Sequence, residues 1–324
     1  MTDLDDAAPE VPTSSRRDVL IGGAAGVGIV TAGGLLAGCA TDDPVEATGA
    51  STDVLAFRVS EVPVDDPYSS RWERSTSSDW AVASVGLEGQ STVRPTRAEP
   101  SVPTISVSAL HDGSHIGFRL SWVDEQVDDL TIKTDAFRDA CAVLLAGDVT
   151  DQAVRFMGTG DGPATILHWK ADWQRDVDHG FQGLSVAFPN GTFDYYPPLE
   201  TIDGDAPTVV EYTAADAEQW LPGMAVDNPI SQPTKISPVE KALARGVGTL
   251  ETLPTQNAIG RGVFADGLWS VVIAKPLAAA DDLEMALSPG GQYAMATAVW
   301  SGRDRDAGGH KSPSRSLLRL RLAP

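Results

Sequence analysis

Ile105-Ser-Val-Ser-Ala-Leu110-His111-Asp112-Gly113-Ser-His115-Ile-Gly-Phe-Arg-Leu-Ser-Trp122 decides the fold. Two runs of alternating branched and aromatic residues meet across an Asp-Gly pair, the turn chemistry of a β-hairpin. Phe264-Ala-Asp-Gly-Leu-Trp269 writes a second hairpin in the same way. Working outward, strand-like runs bounded by Gly, Pro, Asn or Asp cover Val54–Val59, Trp80–Val85, Thr104–Leu110, Ile116–Trp122, Cys141–Leu145, Val154–Met157 and Thr165–Trp173. They continue at Gly260–Phe264, Leu268–Ile273, Tyr293–Trp300 and Leu317–Leu322. One short helix is expected at Ser237-Pro238-Val239-Glu240, with Ser at N-cap, Pro at N1, Glu at N3 and Gly246 as the stop. A second is expected over Ala214–Trp220. Residues 175–235 are rich in Pro, Gly and Asp and read as a loop-rich insertion. With no βαβ alternation and no internal repeat, the expected architecture is all-β. It is one antiparallel β-sandwich over residues 54–324, with long loops and one or two short helices.

Composition narrows the partners. The 324 residues carry 24 Lys plus Arg against 45 Asp plus Glu, a net charge of −21, which excludes nucleic acid as a partner because phosphate neutralisation needs clustered cations. A surface rich in acids and poor in lysine is the halophile-like way of staying soluble in salt. Hydrophobic residues at 42% supply a sizeable core, so disorder is excluded as a whole-chain description.

The N-terminus reads as an address. Ser14-Ser15-Arg16-Arg17-Asp18 precedes a Gly/Ala-rich apolar run that closes on Leu36-Ala37-Gly38-Cys39, the pattern of a twin-arginine lipoprotein signal over residues 1–38. Arg16 and Arg17 are the expected export signal and Cys39 the expected lipidation site. Residues 39–53 form a polar tether. The expected location is therefore the outer face of the cytoplasmic membrane, held by a lipid anchor. Cys39 and Cys141 are the two cysteines, so no disulfide framework, iron–sulfur cluster or C-x-x-C-H haem attachment is available.

Catalytic patterns are missing too. There is no G-x-S-x-G elbow, no H-E-x-x-H, no P-loop and no G-x-G-x-x-G. The chain is expected to have no catalytic residues and no reaction of its own. What stands out is Phe156-Met157-Gly158, a thioether ahead of a glycine loop, followed by His168-Trp169-Lys170-Ala-Asp-Trp173. Near the C-terminus, Trp300 and Gly309-His310-Lys311-Ser312 place one of six lysines beside glycines.

These segments resemble the haem b-binding γ subunits of dimethyl sulfoxide reductase-type molybdoenzymes, the family of the ethylbenzene dehydrogenase, chlorate, selenate and dimethyl sulfide-oxidising complexes. The resemblance runs from about Asp66 to the C-terminus. It is carried by Asp66-Pro67 with Trp72, Val85-Gly-Leu-Glu-Gly-Gln90, Ala109-Leu-His-Asp-Gly113, Leu120-Ser-Trp122, Phe137-Arg-Asp-Ala-Cys141, Phe156-Met157-Gly158, His168 to Trp173, Asp266-Gly-Leu-Trp269 and Gly309-His310-Lys311.

It implies one non-covalent haem b in a pocket between loops at one end of the sheets. The axial iron ligands would be Met157 and Lys311, with His310 as alternative ligand, and Phe156, Trp169, Trp173 and Trp300 would shape the pocket. His168 and Lys170 are read as structural, with Trp169 and Trp173 alternating on a strand. Lys binds iron only as the neutral amine, and bringing its pKa from ~10.4 to about 7 costs roughly 4 to 5 kcal/mol, which burial and metal must offset.

The implied function is electron relay between an iron–sulfur subunit, beside a molybdopterin catalytic subunit, and a cytochrome c or membrane electron carrier. The alternative is a lipoprotein binding module, a carbohydrate-binding-like β-sandwich without haem, in which Trp169 and Trp300 are exposed stacking platforms for sugars.

Overall fold

The computed structural model describes residues 53–73, 82–147, 150–160, 163–191 and 222–324. The chain divides into two units, Met1–Glu46 and Ala47–Pro324, and every described residue belongs to the second. Arg16, Arg17, Cys39 and the helix expected over Ala214–Trp220 lie outside the described residues.

The order of elements is β1 (Asp53–Arg58), α1 (Ser70–Glu73), β2 (Ala83–Gly86), β3 (Thr104–His111), β4 (His115–Val123), β5 (Ala140–Ala146), a 3-10 turn (Gln152–Arg155) and β6 (Ala164–Lys170). Then follow α2 (Ala171–His179), α3 (Leu184–Ala187), α4 (Pro222–Ala225), β7 (Val239–Ala244), β8 (Glu251–Thr252), β9 (Ile259–Ala265) and β10 (Leu268–Pro276). The chain ends with β11 (Gln292–Trp300), β12 (Ser312–Pro313) and β13 (Leu318–Leu322). The fold is all-β and sandwich-like, as expected. One hydrogen-bonded path runs β8-β7-β6-β5-β11-β13-β1-β3-β4-β10-β9. Both Asp-Gly hairpins form, β3 with β4 and β9 with β10, and Asp266 and Gly267 take the positive φ that a primed turn requires. The antiparallel rule breaks at one strand: β1 runs parallel to both β13 and β3, so the first and last strands close the seam between the two halves of the sheet.

The halves meet through tryptophan. Trp169 on β6 packs against Trp269 on β10 at 5.0 Å and Trp122 on β4 at 6.4 Å between ring centroids. Gly262 on β9 makes this approach possible, because a Cβ there would sit 2.2 Å from the Trp169 ring. Also in the interior, Lys241 of β7 and Lys275 of β10 share one carboxylate. Glu284 lies 2.6 Å from Lys241 Nζ and 3.1 Å from Lys275 Nζ, with all three side chains fully buried. Asn257 also accepts from Lys241, and the Pro276 carbonyl from Lys275.

Three local readings are corrected. The helix expected from Ser237 to Gly246 is instead strand β7, Val239–Ala244, whose six residues are buried and all pair with β6, Ala242 and Leu243 pairing also with β8, and this pairing overrides the local cap signals. Val154 to Met157 is not a strand: Asp151 accepts from Ala153 N and starts the 3-10 turn there. The strand through Trp173 stops at Lys170, where Asp172 supplies first-turn negative charge to α2 and Gly180 ends it at positive φ. Among the described residues no helix is long and apolar enough to cross a membrane.

Substituting Glu284→Gln leaves two buried ammonium groups facing a neutral amide. Unfolding free energy by chemical denaturation is expected to fall by about 3 to 5 kcal/mol, as for other broken buried pairs.

Candidate haem cavity

β5, β6 and β11 are buried on both faces, and the two faces differ. Inward, Cys141, Val143, Leu145, Leu167, Trp169, Met295 and Val299 fill the main core; outward, Ala140, Ala142, Ala296 and Ala298 leave a shallow, apolar floor with Leu144 and Ile166 beside them. Over that floor lies a cavity of about 360 Å³, within the usual range for small-molecule and cofactor sites. The expected place, between loops at the sheet ends, is thereby refined. Loops do roof the cavity, and its floor is the outer sheet face.

The roof brings the two ligand candidates together. Met157 follows the 3-10 turn and sits at φ 79°, a conformation uncommon outside glycine, and is held there by bonds from Gly246 N to its carbonyl and from Gly158 N to the Val154 carbonyl. Lys311 enters from the other side on the loop between β11 and β12. Its Nζ donates to Met157 Sδ at 3.2 Å and lies 5.3 Å from the centre of the Trp300 ring. Desolvation alone lowers the Lys311 pKa to about 8. The loop itself is pinned from below, where Asp139 Oδ1 accepts from Gly302 N and its Oδ2 accepts from Trp269 Nε1. Burial pushes the Asp139 carboxyl up to about 7. Arg97 pairs with Asp306 farther along the loop.

Phe156 and Trp300 also line the cavity; Trp169, Trp173 and His310 do not. Trp169 points into the main core because the parity of β6 is the reverse of that expected. Trp173 belongs to α2, where the Lys170 and Lys235 ammonium groups lie 4.0 and 4.5 Å from its ring centre.

His168, expected to be structural, is the cavity residue that sequence reasoning missed. Its ring stacks on Trp300 at 4.5 Å, and together they form the end wall. Its Nε2 is buried without a hydrogen-bond partner. Burial first, then Lys170, Arg138 and Lys311, holds its pKa well below the usual imidazole value, so the ring is neutral. The run of alternate alanines in Ala294-Met-Ala296-Thr-Ala298, facing the same side as His168, is the signal that could have found it.

Among the described residues no group of three or more His, Cys, Asp and Glu is placed to hold a metal ion. The donors that do converge are a thioether and, once deprotonated, an amine, both of which a haem iron would accept. The alanine floor leaves apolar room beside them for a macrocycle.

Fold and cavity together describe an all-β domain with a ligand-sized apolar site. The chain belongs to the ethylbenzene dehydrogenase family, whose model matches residues 60–236, more than half of its length and including Met157. It is similar to a Haloferax mediterranei protein named as a respiratory nitrate reductase heme subunit, at 19% identity over 265 residues, 81% of this chain and 73% of that one. Two structures of a family 9 carbohydrate-binding module from Caldicellulosiruptor kristjanssonii, with glucose and with cellotriose, are distantly similar. They show 7% and 8% identity and TM-scores of 0.37 and 0.36, and cover 83% and 84% of this chain and 95% and 93% of theirs. At that distance they carry no inference about function.

The lowered pKa of Lys311 has a stability consequence in the ligand-free protein. Between about 8 and 10.5 the unfolded chain holds a proton on this group that the folded chain does not, so its contribution to stability rises with pH across that window. Lys311→Met is expected to stabilise the ligand-free domain by about 3 kcal/mol at neutral pH, an advantage that fades above pH ~10. Denaturation curves of both proteins across that range check it.

Proposed function

We propose that this chain is the haem b-binding electron-transfer subunit of a molybdopterin oxidoreductase complex. The observation that carries the reading is the meeting of Met157 Sδ and Lys311 Nζ inside an apolar cavity. Membership of the ethylbenzene dehydrogenase family and similarity to a heme subunit support it.

A single bound haem b would supply a one-electron couple at its iron. Met157 would offer a soft donor that favours the ferrous state and so raises the potential. Lys311 would bind as the neutral amine, and its burial already covers most of the descent from the ordinary ammonium value to neutrality. Phe156, Trp300 and His168 would wall the site, while the small side chains of the β5 and β11 alanines would leave the macrocycle room. In this reading electrons pass between the iron–sulfur subunit, which stands next to the molybdopterin catalytic subunit, and a cytochrome c or membrane carrier, with no chemistry on this chain. Export through Arg16-Arg17 and lipidation at Cys39 would hold the subunit on the outer face of the cytoplasmic membrane, beside a membrane carrier.

The sugar-binding alternative needs exposed aromatic platforms. Trp169 and Trp300 are instead buried, as are the other described tryptophans, Trp72, Trp122, Trp173 and Trp269. That reading therefore loses the residues on which it depended.

Reconstitution tests the haem reading directly. Protein supplied with haem b is expected to show a reducible, low-spin b-type spectrum, and Met157→Ala and Lys311→Ala should each convert it to a high-spin form or lose the haem. Wild-type protein that folds yet stays colourless with haem supplied would overturn the assignment.

A further inference from the structure

The turn that presents Phe156 and Met157 carries a third group toward the cavity. Arg155 lines it, with its side chain 14% exposed, and its guanidinium lies 3.9 Å from the centre of the Phe156 ring. Nη1 donates to Glu88 Oε1 at 2.5 Å and to the Ser314 carbonyl at 3.1 Å. A guanidinium has five donors in a planar fork. Among the described residues, Nη2 and Nε have no protein partner, and neither is sealed away from open space.

A second observation concerns charge. In a chain of net charge −21, the cavity lining holds a single carboxylate, Glu88, and Arg155 offsets it, with Lys311 counted as neutral in the haem reading. His168 adds no charge, being neutral. In this acidic protein the cavity thus carries no net negative charge, and its spare donors sit on the residue type best suited to a carboxylate.

We propose that Arg155 is the carboxylate-recognition residue of this cavity, so that the ligand is an apolar, planar molecule bearing at least one ionised carboxylate. The proposal rests on the haem reading and deepens it: the acid form of the porphyrin, and not its apolar ring alone, is what the site selects. Glu88 accepts from Nη1, an interaction that Gln can also supply, and leaves the remaining edge of the fork for the ligand, while adding a negative charge that repels the ligand's own acid.

The test compares two probes on the full chain, haem b and its dimethyl ester, by titration of the absorption spectrum. Wild type is expected to bind haem about 10- to 100-fold more tightly than the ester, the range of a hydrogen bond to a charged group. Arg155→Gln should abolish this preference by weakening haem alone, and Arg155→Lys should restore only part of it, because a point charge replaces the fork. Glu88→Gln should enlarge the preference.

Equal binding of haem and ester by wild type would overturn the assignment of Arg155 while leaving the haem reading intact. So would an Arg155→Gln that weakens both probes alike, or a Glu88→Gln that reduces the preference. Failure of wild type to bind either probe would sink the haem reading and this inference with it. Should Arg155→Gln fail to fold, the wild-type and Glu88→Gln comparisons still decide.

Discussion

The arrangement turns on a part-buried ammonium, Lys311, that among the described residues has neither an acid nor a carbonyl to hold it. Lys170 has Glu240 at 2.5 Å, and Lys241 and Lys275 share Glu284. Lys235 donates to three backbone carbonyls. Lys311 has a thioether and the face of a tryptophan, and desolvation is the sole cause moving its pKa. A folded chain keeps so poor a partner for a cation only where something else fills the site, or where the amine is wanted neutral. Met157, held at positive φ to meet it, carries a second local cost at the same point.

Those two residues can meet because the sheet is two-faced. Large residues on the inner side of β5, β6 and β11 lock the halves together through Trp169, Trp122 and Trp269, and alanines on the outer side leave a floor on which a flat ligand can rest. The packed core and the alanine floor are thus two faces of the same strands. The buried Lys241–Glu284–Lys275 triad ties β7 to β10, and none of its three residues lines the cavity. Asp139 ties down the loop carrying Lys311, by linking Trp269 of the core to Gly302.

The parts of this that could be read in the sequence were local. Asp112-Gly113 and Asp266-Gly267 announce their hairpins because turn chemistry needs only the residues at the turn. Ser237-Pro238-Val239-Glu240 misled for the same reason, since its cap signals are local and the pairing of β7 with β6 is not. The reversal of Trp169 and His168 has a different origin. A strand buried on both sides shows no polar alternation from which to take its parity, and β6 is such a strand. Met157 and Lys311, 154 positions apart, were singled out by resemblance; no periodicity links them, and only the fold brings them within 3.2 Å. The net charge of −21 belongs to the whole chain and says nothing of which groups line an interior cavity.

The central claim is that the site coordinates iron through one sulfur and one amine nitrogen. X-ray absorption fine structure at the iron edge of the haem-loaded protein tests it most directly. The account predicts a single sulfur scatterer in the first coordination sphere of the wild type and its disappearance in Met157→Ala. A first sphere made only of nitrogen and oxygen in the wild type would contradict it.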